Sequence, residues 1–143
     1  MHVKQISIFM ENRAGRLEEI TSVLAKKNIN IRAISLADTS DFGILRLIVN
    51  KPVEAVEILR KEGFTIRENE VIACIIEDRP GGLHSMLDLF AKSELSIEYM
   101  YGFFERQTDK AVMIIRVNEP DKAIKILLDG GVELLRGEQV YSL

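Results

Sequence analysis

At 143 residues, 47% of them apolar and 29% charged, the chain is long enough for one average domain or two small ones. A net charge of −3 argues against a nucleic-acid partner, no run of about 18 apolar residues marks a membrane span, and a single cysteine, Cys74, excludes an internal disulfide framework and a cysteine-based metal cluster. The opening Met1-His2-Val3-Lys4 lacks the charged-then-apolar layout of a secretion signal, so a cytoplasmic location is expected.

In chain order, residues 3–10 are rich in β-branched side chains and predict a strand. The polar turn ENRAGRL follows, then a helix with Leu17, Ile20 and Leu24 on one stripe, ending near Asn28. INIRAISLAD alternates as a strand does, Thr39-Ser40-Asp41 turns the chain, and ILRLIV completes a hairpin. Pro52 fits the first turn of a second helix, Gly63 fits its C-terminal cap, and FTIRE begins another strand.

The same order then repeats. VIACII at 71–76 is apolar on both faces, as a covered central strand should be. After EDRPGGL, the residues Leu83, Met86, Leu87 and Phe90 keep the i, i+3, i+4, i+7 spacing of a buried helical stripe that ends near Glu94. LSIEYMYGFF, a turn at 106–110, AVMIIRV, a helix opened by Pro120 and capped by Gly131, and VELLR follow. The tail GEQVYSL reads as an extra strand over about 138–142, either completing the second sheet or crossing to the first.

Self-similarity organises this pattern. A shift of 66 brings Glu11, Arg13, Gly15 and Leu17 onto Glu77, Arg79, Gly81 and Leu83, and Ile31 onto Ile97. Beyond the turn at 106–110 a shift of 68 brings Asn50, Pro52, Ala55 and Gly63 onto Asn118, Pro120, Ala123 and Gly131. The matches keep their order with one loop-sized adjustment, which is the signature of duplication. Two domains, 1–69 and 70–143, are expected. Strand-helix-strand-strand-helix-strand in each suits an α+β, ferredoxin-like unit with an antiparallel sheet and helices on one face.

On these residues the chain resembles the ACT domain family, whose loop reads Asn/Asp-x-Pro-Gly-x-Leu. Asp78-Arg79-Pro80-Gly81-Gly82-Leu83 matches in full, while Asn12-Arg13-Ala14-Gly15-Arg16-Leu17 departs at Ala14. The resemblance covers nearly the whole chain and is to stand-alone tandem ACT proteins. It implies two ACT-type units packed side by side through their second strands and first helices, with a regulatory, amino-acid-binding role. The edge of each second strand would otherwise lie open, and a unit of about 70 residues buries little surface alone.

The loops carry the expected ligand site. A helix start offers unpaired N–H groups and the positive dipole end, a seat for a carboxylate, and glycine lets the ligand approach. Gly81, Gly82 and Leu83 are expected to donate N–H groups, Asp78 to face an α-ammonium, and Asn12 to make neutral hydrogen bonds to it. Arg13, Ala14, Gly15, Arg16 and Leu17, with Arg79 and Pro80, complete the two loops. Ser35, Tyr99 and Tyr101, with Ala33, are the expected walls, contributed by the adjoining unit. Glu18 and Glu19 repel an anion from the first loop, whereas His84 and Ser85 follow the second, so the second is the expected carboxylate site.

Tyr99, Tyr101 and Phe103 share one face of their strand. Either that face is open and marks a homodimer, or it lies under the helices as core. Cys74 fits a buried hydrophobe, His2 falls at a mobile terminus, and His84 stands alone on a helix, so neither a metal nor another cofactor is expected. No nucleophile with a positioned partner suggests an enzyme, and the third strands lack the aromatics of RNA-binding sheets. The expectation is a non-enzymatic sensor that binds an amino acid between its two ACT units. The competing reading is a ligand-free interaction module that regulates a metabolic enzyme or transcription.

Overall fold

The computed structural model describes residues 1–11, 13–38, 41–104 and 108–143. The expected turn residues Thr39, Ser40, Arg106 and Gln107 lie outside the described residues. The elements are β1 (Val3–Glu11), α1 (Arg16–Lys26), β2 (Ile31–Asp38), β3 (Phe42–Val49), α2 (Pro52–Lys61), β4 (Thr65–Glu77), α3 (Gly82–Asp88), β5 (Ile97–Phe104), β6 (Lys110–Val117), α4 (Pro120–Asp129), β7 (Glu133–Leu135) and α5 (Gly137–Tyr141). Two compact units result. Lys4–Asn69 with Glu138–Leu143 is here the N-terminal unit, and Met1–Val3 with Glu70–Gly137 the C-terminal unit.

In the N-terminal unit the strands run β2-β3-β1-β4, with Ile6 opposite Leu47 and Ile8 opposite Leu45 in antiparallel register. Those four side chains face the helices. They pack with Ile20 and Leu24 of α1, Ala55 and Leu59 of α2, and Phe64. In the C-terminal unit β4 lies between β7 and β6, and β5 is the outer strand. Ile72, Cys74 and Ile115 there pack in one core with Met86, Ala123 and Leu127 of the helices and with Phe90, in the turns after α3. Each fully buried aliphatic side chain contributes about 1.5–3 kcal/mol. Both units are α+β, ferredoxin-like, with helices on one face of an antiparallel sheet.

The duplication extends to the backbone. Gly15 and Gly81, at φ 83° and 87°, cap α1 and α3, and Gly63 and Gly131, at 88° and 80°, follow α2 and α4. These left-handed positions admit glycine without the clash a Cβ brings. Pro52 and Pro120 open their helices behind caps of nearly equal φ, −133° at Lys51 and −132° at Glu119. Asn50 Oδ1 accepts the Asn30 N–H at 2.8 Å, and Asn118 Oδ1 accepts the Ser96 N–H at 2.9 Å. Each asparagine thus clamps the start of a second strand. Both second strands are also bulged at matching places, between Ile31 and Ala33 and between Ile97 and Tyr99.

Three elements differ from the sequence reading. The strands expected on either side of residue 69 form one 13-residue strand, β4, because Arg67-Glu68-Asn69-Glu70 holds no proline or glycine to break it. Helix α3 stops at Asp88 instead of near Glu94. Bonds from Leu89, Phe90 and Ala91 N–H to the carbonyls three residues earlier tighten it into turns. The tail is a helix, not a strand, and belongs to the N-terminal unit. It buries Val140 alone, donates no ladder bonds, and is held by Lys4 N–H to Tyr141 Oη at 2.7 Å and by Arg32 Nε to the Tyr141 carbonyl at 2.9 Å. His2 is likewise anchored, its ring nitrogens 3.0 Å from Asp121 and 3.1 Å from Glu70.

Candidate functional site

Both expected loops form turns at helix starts, and among the described residues no side chain caps the first N–H groups of α1 or α3. The backbone plan is common to both, but the side chains treat it differently.

In the first loop Asn12 lies outside the described residues, Ala14 is exposed, and Leu17 leans on the core of its unit. The Arg16 N–H is turned back to the Arg13 carbonyl at 3.3 Å. The Arg13 guanidinium lies 3.5 Å from both Glu11 and Glu19. Arg16 Nη1 donates to Glu19 Oε2 at 2.7 Å, and its guanidinium lies 4.6 Å above the Phe64 ring. The Arg16 hydrogen bond holds the Glu19 carboxyl below its ordinary range, with Arg13 assisting and desolvation opposing. The loop is neutralised by its own residues.

The second loop is barer. Asp78 N–H bonds the Asp109 carbonyl at 2.7 Å, Gly82 N–H bonds the Arg79 carbonyl at 2.9 Å, and Arg79 pairs with Glu77. Of the expected N–H donors, Gly82 is therefore already engaged. The Leu83 and His84 N–H groups have no backbone acceptor among the described residues. Pro80 and Gly81 are exposed, and no acid occupies the first turn of α3. Gly82 is required by packing: a Cβ there would stand 2.0 Å from the Glu77 carbonyl oxygen.

Beside this turn is a cavity of about 240 Å³ within the C-terminal unit, lined among others by Asp78, Leu83, Gly102, Phe104 and Met113. Gly102 lies opposite Met113 and Phe104 opposite Ala111, on the sheet face that carries the helices. Tyr99 and Tyr101, opposite Arg116 and Ile114, point from the other face and are half-buried. Ser35, opposite Arg46, and Ala33, opposite Ile48, lie on the corresponding face of the N-terminal unit. The strand residues next to the second turn are thus Gly102 and Phe104. A glycine inside a strand was the available signal, since it marks a close approach or a bulge.

Burial pushes the Cys74 thiol up to about 12, and a thiol so held is no nucleophile at neutral pH. Among the described residues no group of three His, Cys, Asp or Glu side chains is arranged to hold a metal ion. Among them, too, no helix is long and apolar enough to cross a membrane.

The sequence matches the family model described as an ACT domain pair over residues 1–143. No curated protein matches it significantly. The structure is similar to that of protein BT0572 from Bacteroides thetaiotaomicron, with 40% identity and a TM-score of 0.95, covering 100% of this chain and 98% of that one. It also resembles the ligand-free regulatory subunit of aspartate kinase from Thermus thermophilus, at 15% identity and a TM-score of 0.63, covering 90% and 92% of the two chains. At that identity the likeness is one of fold. Duplicated glycine turns, matched proline-led helices and a family match from the first residue to the last lead to one conclusion: the chain belongs to the ACT domain pair family.

Proposed function

We propose that this chain is a non-enzymatic regulatory protein whose C-terminal unit binds a free amino acid at the turn 78–83. The observation that carries the reading is the unfilled space beside an uncapped helix start. The Leu83 and His84 N–H groups receive the carboxylate, Asp78 faces the ammonium, and Leu83, Phe104 and Met113 surround the side chain. Gly102, where the N-terminal unit has Leu36 at the matching position, lets the Met113 side chain lie close against the strand: a Cβ there would stand 2.4 Å from its Sδ. The assignment of a regulatory role draws on the family and on the regulatory subunit that shares the fold.

The same site opens toward the edge of β5, whose only ladder partner among the described residues is β6; β2 likewise pairs only with β3. Ile34 and Leu36 on β2 are 50% and 51% exposed, and Phe104 on β5 is 68% exposed. Apolar side chains on unpaired edges favour docking of a second copy, so the sensor is a homodimer that closes the cavity with a strand of its partner. Ligand that binds the dimer better than the open chain shifts the population between them.

A thermal-shift series with the common amino acids at millimolar concentration tests the reading. At least one raises the melting temperature, because it binds only the folded state. Asp78→Asn and Gly102→Leu each reduce the shift. If no amino acid raises the melting temperature, or if both variants respond as the parent does, the amino-acid site is wrong.

A further inference from the structure

The C-terminal unit has a second empty space, distinct from the one just assigned. It lies on the far side of the same turn, against the start of β7, and has a volume of about 350 Å³. Its apolar floor includes Met86, Leu89 and Val132, and Glu77, Arg79, Lys110 and Glu133 stand at its rim. That volume falls within the roughly 300–1,000 Å³ usual for small-molecule sites.

The N-terminal unit shows what fills the matching place. Four residues there, Arg16, Glu19, Glu62 and Phe64, correspond under the repeat to Gly82, Ser85, Gly130 and Val132. Arg16 bonds Glu19 and covers the Phe64 ring, which is itself 7% exposed. Each of the four is larger than its counterpart. The C-terminal unit lacks the guanidinium, the two carboxylates and the phenyl ring found there, and the space has not collapsed. Gly130 admits Leu89, whose Cδ1 would be 2.6 Å from a Cβ at that position, but the rest stays open.

We infer that this cleft is a second ligand site, and that its ligand is a small zwitterion with an apolar side chain. The rim chemistry selects it. Glu77 and Arg79 satisfy each other, which leaves Lys110 and Glu133 as one cation and one anion without an ion-pair partner among the described residues. Lys110 faces the carboxylate, Glu133 the ammonium, and the side chain lies on Met86, Leu89 and Val132. The ligand supplies in trans the apolar bulk and the paired charges that Phe64, Arg16 and Glu19 supply in the other unit. The inference does not need the site at Asp78: the two spaces share Ile76, Glu77 and Arg79, but Lys110, Glu133, Leu89 and Val132 line only this one, and each site can fail alone.

Methyl NMR of the full chain, titrated with each common amino acid at millimolar concentration, separates the two. At least one apolar amino acid shifts the Leu89 and Val132 methyls, whereas the Leu83 methyls report the site at Asp78. In Val132→Phe the Leu89 response disappears and the Leu83 response is unchanged. Glu133→Gln, an exposed change that leaves the fold alone, weakens the Leu89 response about tenfold, as loss of a charge-assisted bond should. Leu89 and Val132 methyls that never move with any amino acid overturn the inference. So does a Leu89 response of equal affinity in both the parent and Glu133→Gln.

Discussion

The turns at 13–17 and 79–83 begin from the same backbone and end as opposite kinds of surface. Gly15 and Gly81 differ by 4° in φ, from 83° to 87°, and neither helix start has a side-chain cap among the described residues. Around the first, two arginines, two glutamates and a phenylalanine satisfy one another. Around the second, glycines, a serine and a valine leave space on both sides of the turn. Glycine fixes the path of the chain, and the residues one and four places on, with one from just before a distant strand, decide whether that path encloses a plug or a cavity. A duplicated unit can therefore keep its fold in both copies while the space beside this turn is filled in one and open in the other.

The greatest expected effect comes from exchanging the residue after each capping glycine. Gly82→Ala places a Cβ 2.0 Å from the Glu77 carbonyl oxygen, so backbone has to move, and urea unfolding should show a loss of about 3 kcal/mol. Arg16, at the matching position, already carries a Cβ, and Arg16→Ala should lose only about 1 kcal/mol, through its stacking on Phe64. Equal losses in the two variants would remove the packing difference between the units.

The capping glycines themselves should behave alike. Each is left-handed with open space around it, so Gly15→Ala and Gly81→Ala should each cost about 1.5 kcal/mol from backbone conformation alone. A difference beyond about 0.5 kcal/mol between these well-separated sites would mean that the turns are not equivalent. Arg13 and Arg79 extend the comparison. Arg13 lies against two carboxylates and Arg79 against one, all of them solvent-accessible, so either alanine variant should change stability by less than about 1 kcal/mol.

Much of this architecture was legible because it is written in residues with narrow conformational tastes. Gly15, Gly81, Pro52, Pro120, Gly63 and Gly131 fix helix ends locally, and all six do so here. The facing of the second strands was not legible. A bulge after Ile97 puts Ile97 with the helices but Tyr99 and Tyr101 on the opposite face, a phase change that alternation alone does not reveal. The tail misled because its likeness to the 69–75 stretch was real in letters, while helix α5 is held by contacts to Lys4 and Arg32, more than a hundred residues away in sequence. The plug was invisible for a similar reason. Arg16 meets Phe64 only after the sheet has formed, and nothing in ENRAGRL announces it.

The smallest effect tests whether the first turn is closed by charge as well as by bulk. Hydrogen bonding from Arg16, with help from Arg13, keeps the Glu19 carboxyl below its ordinary 4.5. A carboxyl lowered in the fold stabilises it fully above the unfolded value, and that contribution fades as pH falls through the lowered one. The Glu19 side chain is 42% exposed, so the slope in stability will be shallow, but its carboxyl carbon can be followed directly by NMR. Its midpoint should lie below 4.5 in the parent and move up toward 4.5 in Arg16→Ala. Ser85, which occupies the matching place in the other unit, gives its hydroxyl to the Gly81 carbonyl at 2.9 Å and has no charge to titrate. A Glu19 midpoint unmoved by Arg16→Ala would mean that the two turns differ only in how much space they fill.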